Sequence, residues 1–259
     1  MKIVSKIKAI CKITLGCILL LCGLFSCEKP SDCFDSTGNI IKKDVVIEPF
    51  TRLEVHRGVA VVLKQDANYS LQIESGENQI GNINISQNGN TLKLEDNTSC
   101  NWLREYGTTT IYISAPNIEE IYSKTDRNIS SNGVLNYPNF WIKSFDKEGD
   151  GLEGAGTGDF ILNLNCNQLN VDCNSLPRFM LSGNAVNATF NIWANDCRIE
   201  AQDLTIQNFA FYHRGSNDMI VKPMVSITGT LVSSGNVISK NHPPTVNVQE
   251  NYTGRLIFE

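Results

Sequence analysis

Apolar and polar residues alternate in short stretches from about residue 50 onward. Leu53-Glu54-Val55, Val59 to Leu63, Leu71-Gln72-Ile73, Ile83-Asn84-Ile85, Thr91-Leu92-Lys93-Leu94 and Thr110-Ile111-Tyr112-Ile113 all show it. Successive side chains of a strand point to opposite faces, so each stretch predicts a strand with one buried face. Asn88-Gly89-Asn90 predicts a tight turn, because Asn and Gly tolerate positive φ. No long segment spaces its apolar residues by three and four, so helices are not expected.

The second half repeats. Apolar-x-apolar triplets stand at Phe140-Trp141-Ile142, Leu169-Asn170-Val171, Phe190-Asn191-Ile192, Phe209-Ala210-Phe211, Val225-Ser226-Ile227 and Val246-Asn247-Val248. Val171 to Ile192 is 21 residues, Ile192 to Phe211 is 19 and Ile227 to Val248 is 21. Phe211 to Ile227 is only 16 and Ile142 to Val171 is 29, so the period is uneven. Small-residue turns are expected between triplets, at Ser131-Asn132-Gly133, Gly156-Thr157-Gly158-Asp159, Ser182-Gly183-Asn184, Gly215-Ser216-Asn217-Asp218 and Ser234-Gly235-Asn236. A short strand-and-turn repeat of this kind predicts stacked rungs. One rung cannot bury its apolar face alone. Rungs ~4.8 Å apart bury a continuous column and pair each other's backbone. The 29 asparagines suit such a stack, since amides bond turn backbone and equivalent amides above and below. The expectation is an all-β chain forming a right-handed parallel β-helix or β-solenoid, with a β-sandwich as the alternative. Residues 44–115 are expected to form a sheet-rich first layer continuous with it, with a sub-boundary near 115.

The first residues read differently. Lys2, Lys6 and Lys8 precede an apolar run from Ala9 to Phe25, interrupted by Lys12. That is the layout of a secretory signal, and it stands outside fold reasoning. A spanning anchor needs ~20 apolar residues, more than the run after Lys12 supplies. Leu24-Phe25-Ser26-Cys27 at its end resembles the lipobox of bacterial lipoproteins. The resemblance implies a diacylglyceryl group on the Cys27 sulfur and cleavage before Cys27. Residues 1–26 are then a signal peptide, 27–43 a lipidated start and tether, and 44–259 the folded domain. The expected location is the cell envelope, as an outer membrane lipoprotein on the periplasmic face or the cell surface.

Charge narrows the partners. Without the leader, the remaining 233 residues carry 18 basic and 27 acidic side chains, a formal charge of −9. Nucleic acid and anionic headgroups need a basic patch, so neither is expected as a partner. Cys33, Cys100, Cys166, Cys173 and Cys197 remain beside Cys27. An exported chain keeps disulfides, so one or two bridges are open, and the odd count leaves a thiol over. Cys166 and Cys173 are close in sequence, and stacking would bring Cys197 near Cys173. Buried, unpaired thiols are the equal alternative.

An ordered series of segments adds a family. Phe50-Thr51-Arg52-Leu53-Glu54-Val55, Gly58-Val59-Ala60-Val61-Val62-Leu63, Leu71-Gln72-Ile73, Glu77-Asn78 and Asn88-Gly89-Asn90-Thr91-Leu92 follow one another. This order resembles the N-terminal part of the putative auto-transporter adhesin family with the head GIN domain, found in Gram-negative bacterial lipoproteins. Gly156-Thr157-Gly158-Asp159, Gly215-Ser216-Asn217-Asp218 and Ser234-Gly235-Asn236-Val237 are similar to its Gly-Ser-Gly-Asp turns. The family's late Gly-x-Pro element is Asn241-His242-Pro243-Pro244 here, without the glycine. The resemblance spans residues 44–259. It implies an all-β, solenoid-like extracellular domain and carries no catalytic residues across.

Candidate chemistry is sparse. Asp146, Glu148 and Asp150 alternate before Gly151 and resemble the first half of a calcium loop. Thr157 stands where the bidentate Glu belongs, so a solvated acidic turn is the stronger reading. No cofactor is expected. Asp146, Asp150, Asp159, Lys124 and Arg127 are candidates for an outer groove of a polysaccharide-cleaving enzyme, which needs two facing carboxyls. His56, His213 and His242 are isolated in sequence. Trp102, Tyr106, Tyr112, Tyr122, Tyr137, Trp141, Trp193, Tyr212 and Tyr252 would form a sugar-stacking or partner-anchoring strip if several shared one exterior face. Asp35-Ser36-Thr37 has the look of an O-glycosylation site. The expected function is a lipid-anchored, non-enzymatic module presenting an elongated β surface to glycans or extracellular proteins. A polysaccharide-active enzyme and a structural envelope component are the alternatives.

Overall fold

The structure is a computed structural model that describes residues 36–98, 108–146 and 156–259. All of these but Ser36 and Thr98 fall in one compact unit. It is all-β, and its only helical element among the described residues is a single 3₁₀ turn, Ile80–Asn82. The strands are β1 (Ile40–Val45), β2 (Arg52–Val55), β3 (Ala60–Gln65), β4 (Ser70–Gly76), β5 (Ile83–Asn88), β6 (Thr91–Asp96), β7 (Thr110–Ala115), β8 (Glu120–Ser123), β9 (Ile129–Leu135), β10 (Asn139–Ser144), β11 (Phe160–Cys173), β12 (Arg178–Ile192), β13 (Arg198–His213), β14 (Met219–Leu231), β15 (Val237–Ser239), β16 (Thr245–Glu250) and β17 (Leu256–Phe258).

Pairing runs in two ladders. The first is β5-β6-β2-β8-β10-β11-β12-β13-β14-β16. The second is β1-β4-β7-β3-β9-β11-β12-β13-β14-β15-β17. The long strands β11 to β14 bend and serve both ladders, which makes one mixed sheet. Most pairs are parallel, which an antiparallel sandwich would not supply. The antiparallel pairs are β1–β4, β4–β7 and β5–β6, all at the N-terminal side. The first layer also stacks out of chain order. The β2–β3 rung lies between β6–β7 on one side and β8–β9 on the other.

Alternation does the work expected of it. In β2, Leu53 and Val55 are buried, in β3 Val61 and Leu63, and in β7 Ile111 and Ile113. In the first ladder Ile142, Val171, Phe190, Phe211, Gly229 and Val248 fall in register. In the second, Ile129, Phe160, Phe179, Ile199, Met219, Val237 and Leu256 do so. Phe160 and Phe179 stack with ring centroids 4.8 Å apart and planes 7° from parallel, the spacing of neighbouring strands. Asparagine ladders are present too. The Asn208 amide donates to Asn187 Oδ1 at 3.2 Å, and Ser226 Oγ donates to Asn208 Oδ1 at 3.0 Å.

The turn assignments divide. Asn88-Gly89-Asn90 is the hairpin between β5 and β6, with Gly89 at φ 55°. Gly156 to Asp159, Gly215 to Asp218 and Ser234 to Asn236 lie between strands. Ser131-Asn132-Gly133 and Ser182-Gly183-Asn184 do not. They sit inside β9 and β12. Gly133 takes φ 92° in a bulge where β9 slips its register against β11, whereas Gly183 takes φ 103° and keeps Leu164 and Leu204 as partners.

His213 is buried at the end of β13, and its Nε2–H donates to the Asn217 carbonyl at 2.9 Å. Burial depresses its pKa, and the Asn217 bond and Asp218 only partly oppose this. The unfolded chain therefore takes up a proton more readily than the folded one. The His213 contribution to stability is complete above its ordinary pKa of 6.5 and is lost as pH falls toward the folded value. Thermal melts between about pH 7.5 and pH 5 should show a fall in Tm that is shallower in His213→Gln. Identical slopes in the two proteins would contradict this.

Candidate functional site

The outer surface of the first ladder gathers several exterior aromatic residues. Parallel register aligns two outward rows there. One runs Arg52, Glu120, Trp141, Asn170, Thr189. The other runs Glu54, Tyr122, Lys143, Asp172, Asn191, Tyr212. Trp193 follows β12 directly, and its backbone N–H donates to the Cys173 carbonyl at 2.8 Å.

Asp172 organises this surface. Trp141 Nε1 donates to its Oδ2 at 2.6 Å, Trp193 Nε1 to its Oδ1 at 2.9 Å, and the Asn191 amide to Oδ1 at 3.1 Å. The carboxylate is only 7% exposed, while the two indoles it holds are 38% and 44% exposed. Two rings from different rungs are thus fixed by one hidden anion, with much of their surface left to solvent. Trp193 continues onto Tyr212 with centroids 5.1 Å apart, and Tyr122 stacks on Phe145 at 6.4 Å.

Beside Trp141 lies a shallow depression of about 540 Å³ lined by Arg52, Glu119, Glu120, Trp141, Lys143 and Asn170, among others. Glu120 accepts from Arg52 and from Lys143, both at 2.7 Å. Burial pushes the Glu120 carboxyl up, but the two cations outweigh it and hold it below the ordinary range. Lys143 Nζ also lies 3.7 Å from the Trp141 ring centroid. Arg52 and Lys143 are both directed at Glu120, so the depression presents a bound ion cluster beside amides and aromatic surface.

The other expected residues scatter. Tyr137 is buried against Phe140, and burial raises its hydroxyl pKa. Tyr112 lies on the outer surface of the second ladder, with Lys42 5.2 Å from its ring centroid. Tyr252 is exposed beyond β16. Trp102 and Tyr106 lie outside the described residues. The outer groove fails at Lys124, which is 1% exposed because its strand-end position turns it inward. Asp159 is taken up by Arg178 at 3.3 Å, and Asp150 lies outside the described residues. Of the calcium candidates only Asp146 is described, and there its backbone N–H donates to Asn174 Oδ1. Among the described residues no three acidic, histidine or cysteine side chains cluster as a metal site would need. His56 lies between Glu54 and Glu95, each 3.9 Å away, and His242 packs on Phe258.

Comparison with known proteins places the chain in a family. Residues 49–243 match the family model described as "Putative auto-transporter adhesin, head GIN domain". A crystal structure of a putative adhesin from Bacteroides fragilis superposes with a TM-score of 0.75 at 19% identity, covering 87% of this chain and all of that one. A putative adhesin from Parabacteroides distasonis gives 0.66 at 14%, covering 87% and 100%. A protein from the same organism named as a putative lipid binding protein gives 0.63 at 14%, covering 86% and 99%. At these identities the likeness is one of fold. No curated protein matches the chain.

Proposed function

The chain belongs to the head GIN family of auto-transporter adhesin-like proteins, and on that premise we propose a non-catalytic, lipid-anchored binding module of the cell envelope. Its ligands are neutral saccharides that lie across the Trp141 and Trp193 rings. The observation that carries this reading is the shared clamp at Asp172. Sugar rings present flat apolar C–H faces, and exposed indoles held rigid are suited to stack on them. The amides of Asn170 and Asn191 lie on the same outward rows and offer partners for hydroxyl groups, while the Trp141 N–H stays with Asp172. The acidic balance of the chain favours uncharged ligands over acidic ones.

We read the parallel rungs as a right-handed β-solenoid, the scaffold on which this surface extends over several strands. Lipid on Cys27 would hold it at the outer membrane, since two or three acyl chains bind durably where one does not.

Two measurements test the proposal. A glycan and matrix-protein array with the soluble 28–259 fragment should light up on uncharged glycans, and uniform blanks would defeat the binding reading. Cys27→Ala should move the protein from the membrane to the soluble fraction. Unchanged membrane retention would defeat the anchor.

A further inference from the structure

The outer surface of the first ladder changes character at β11. Its middle column runs Asn170, Thr189, Ala210, Thr228 and Asn247 on β11, β12, β13, β14 and β16. The column beside it runs Asp172, Asn191, Tyr212, Thr230 and Gln249. Of these ten positions only Asp172 is charged, and it is 7% exposed. A protein surface usually carries about 25–35% charged residues, so about three would be expected. The third column, from Gln168 to Thr245, is likewise amide or hydroxyl throughout.

Two comparisons within the molecule tie the lack of charge to this face. Earlier strands carry Arg52, Glu54, Lys93, Glu120 and Lys143 in the same two columns. On β12 and β13 themselves, the halves that serve the second ladder turn Arg178, Arg198 and Glu200 outward. Stacking alone therefore does not require an uncharged surface. Hydrogen bonds within the face use part of its capacity. The Gln168 amide donates to Asn170 Oδ1 at 2.9 Å, and the Thr228 hydroxyl to the Phe209 carbonyl at 3.5 Å. Such groups keep further sites, since an amide donates and accepts at several positions and a bonded hydroxyl keeps its lone pairs.

The face is continuous with the indole clamp. Trp141 lies on β10, Trp193 follows β12, and Trp193 leads onto Tyr212 of β13. Thr230 and Gln249 come next in the Tyr212 column. From β10 to β16 are five strand steps of ~4.8 Å, about 24 Å in all.

We infer that this face is a glycan track that takes a linear, uncharged polysaccharide laid along the stacking axis. The first sugars lie on the indoles and the following ones over Tyr212, Thr228, Thr230, Asn247 and Gln249. The inference rests on the saccharide reading of the indole pair and deepens it from a short ligand to a chain. Direction follows from the repeat. Each step along the stack presents groups of the same kind at a spacing close to the length of one sugar unit, so one sugar meets one rung. A chain running along the strands would leave the face after three columns. Ligand charge follows from the surface, because neutral amides and hydroxyls are covered by a neutral sugar without any ion being stranded from water.

Oligosaccharides of two to eight sugars from β-1,4-glucan, β-1,3-glucan, β-1,4-mannan and chitin test the track. They are titrated into the 28–259 fragment, which contains the whole compact unit. For at least one series, affinity should rise with length to about five or six sugars, one per strand step, and then level. Six sugars should bind at least ~10-fold tighter than two. Combining Thr228→Ala, Thr230→Ala and Gln249→Ala should cut that length advantage to ~2-fold or less, with the variant still melting cooperatively. Equal affinity for two sugars and six would overturn the track and leave the indole reading standing. A length advantage that survives the triple variant, or tighter binding to polygalacturonate of the same length, would overturn it as well. No binding by any of the four series would also overturn it, with the array above deciding the indole reading separately.

Discussion

Gly183→Ala should cost about 3–5 kcal/mol of stability, read as a Tm fall of roughly 10 °C. Two effects act at this one position. Gly183 has φ 103°, where a side chain is strained by of order 1–2 kcal/mol. A Cβ there would also meet the Leu164 carbonyl oxygen at 2.1 Å and Asn163 Oδ1 at 2.8 Å. The first of these is backbone of the neighbouring strand, in register with Gly183, and cannot swing aside. Relief would require β11 and β12 to separate at the centre of the stack. Gly89→Ala is the control. It shares positive φ at 55° but has nothing within 4 Å of its added carbon, so it should cost only about 1 kcal/mol. Equal losses in the two variants would show that strand proximity contributes nothing.

Asp172→Ala should release both indoles at once. Hydrogen bonds to a charged acceptor contribute about 1.5–3 kcal/mol each. Both rings are partly exposed, so water replaces some of the loss, and a total of about 2–3 kcal/mol is expected. Saccharide affinity should fall by at least ~10-fold, equivalent to 1.4 kcal/mol, because the free rings must be ordered by the ligand. Asp172→Asn should fall between the two, since one of its atoms still accepts while its N–H₂ opposes the second indole. Indole emission should shift to the red in Asp172→Ala as the rings meet water. An unchanged spectrum would mean that the carboxylate does not fix them.

The all-β character was legible because burial alternates with period two, and Leu53, Val55, Ile111 and Ile113 are buried as their spacing implies. The rung length was legible only roughly, for a physical reason. Sliding a strand by two residues leaves the same side chains facing in. Phe190-Asn191-Ile192 therefore looked equivalent to Leu169-Asn170-Val171, whereas Val171 is in register with Phe190. With the true partners, Val171 to Phe190, Phe211, Gly229 and Val248, the intervals settle to 19, 21, 18 and 19. The interval of 29 from Ile142 to Val171 is real, and it contains residues 147–155, which lie outside the described set. Gly229 in an apolar column was hidden because it has no side chain to mark it. It is needed there, since a Cβ would approach the Phe211 carbonyl at 2.4 Å.

The first layer was less legible. Stacking of β6–β7 and β8–β9 on opposite sides of β2–β3 depends on contacts distant in sequence. No local pattern encodes that choice. The aromatic surface was half visible. Trp141 and Trp193 were among the candidate aromatics, but Asp172 was not among the candidate acids. It stands 21 residues before Trp193, close to one rung, and that spacing was the available signal. Lys124 was misplaced because alternation predicts faces within a strand and gives no direction to the residue after it.

The most direct test is calorimetric titration of the array's strongest uncharged glycan into the wild-type fragment, Trp193→Ala and Asp172→Ala. The account predicts saturable heat for the wild type and affinity lowered at least ~10-fold in both variants, with each still melting cooperatively. Wild-type affinity in Trp193→Ala would contradict it, because the more exposed of the two indoles would then have no part in holding the sugar.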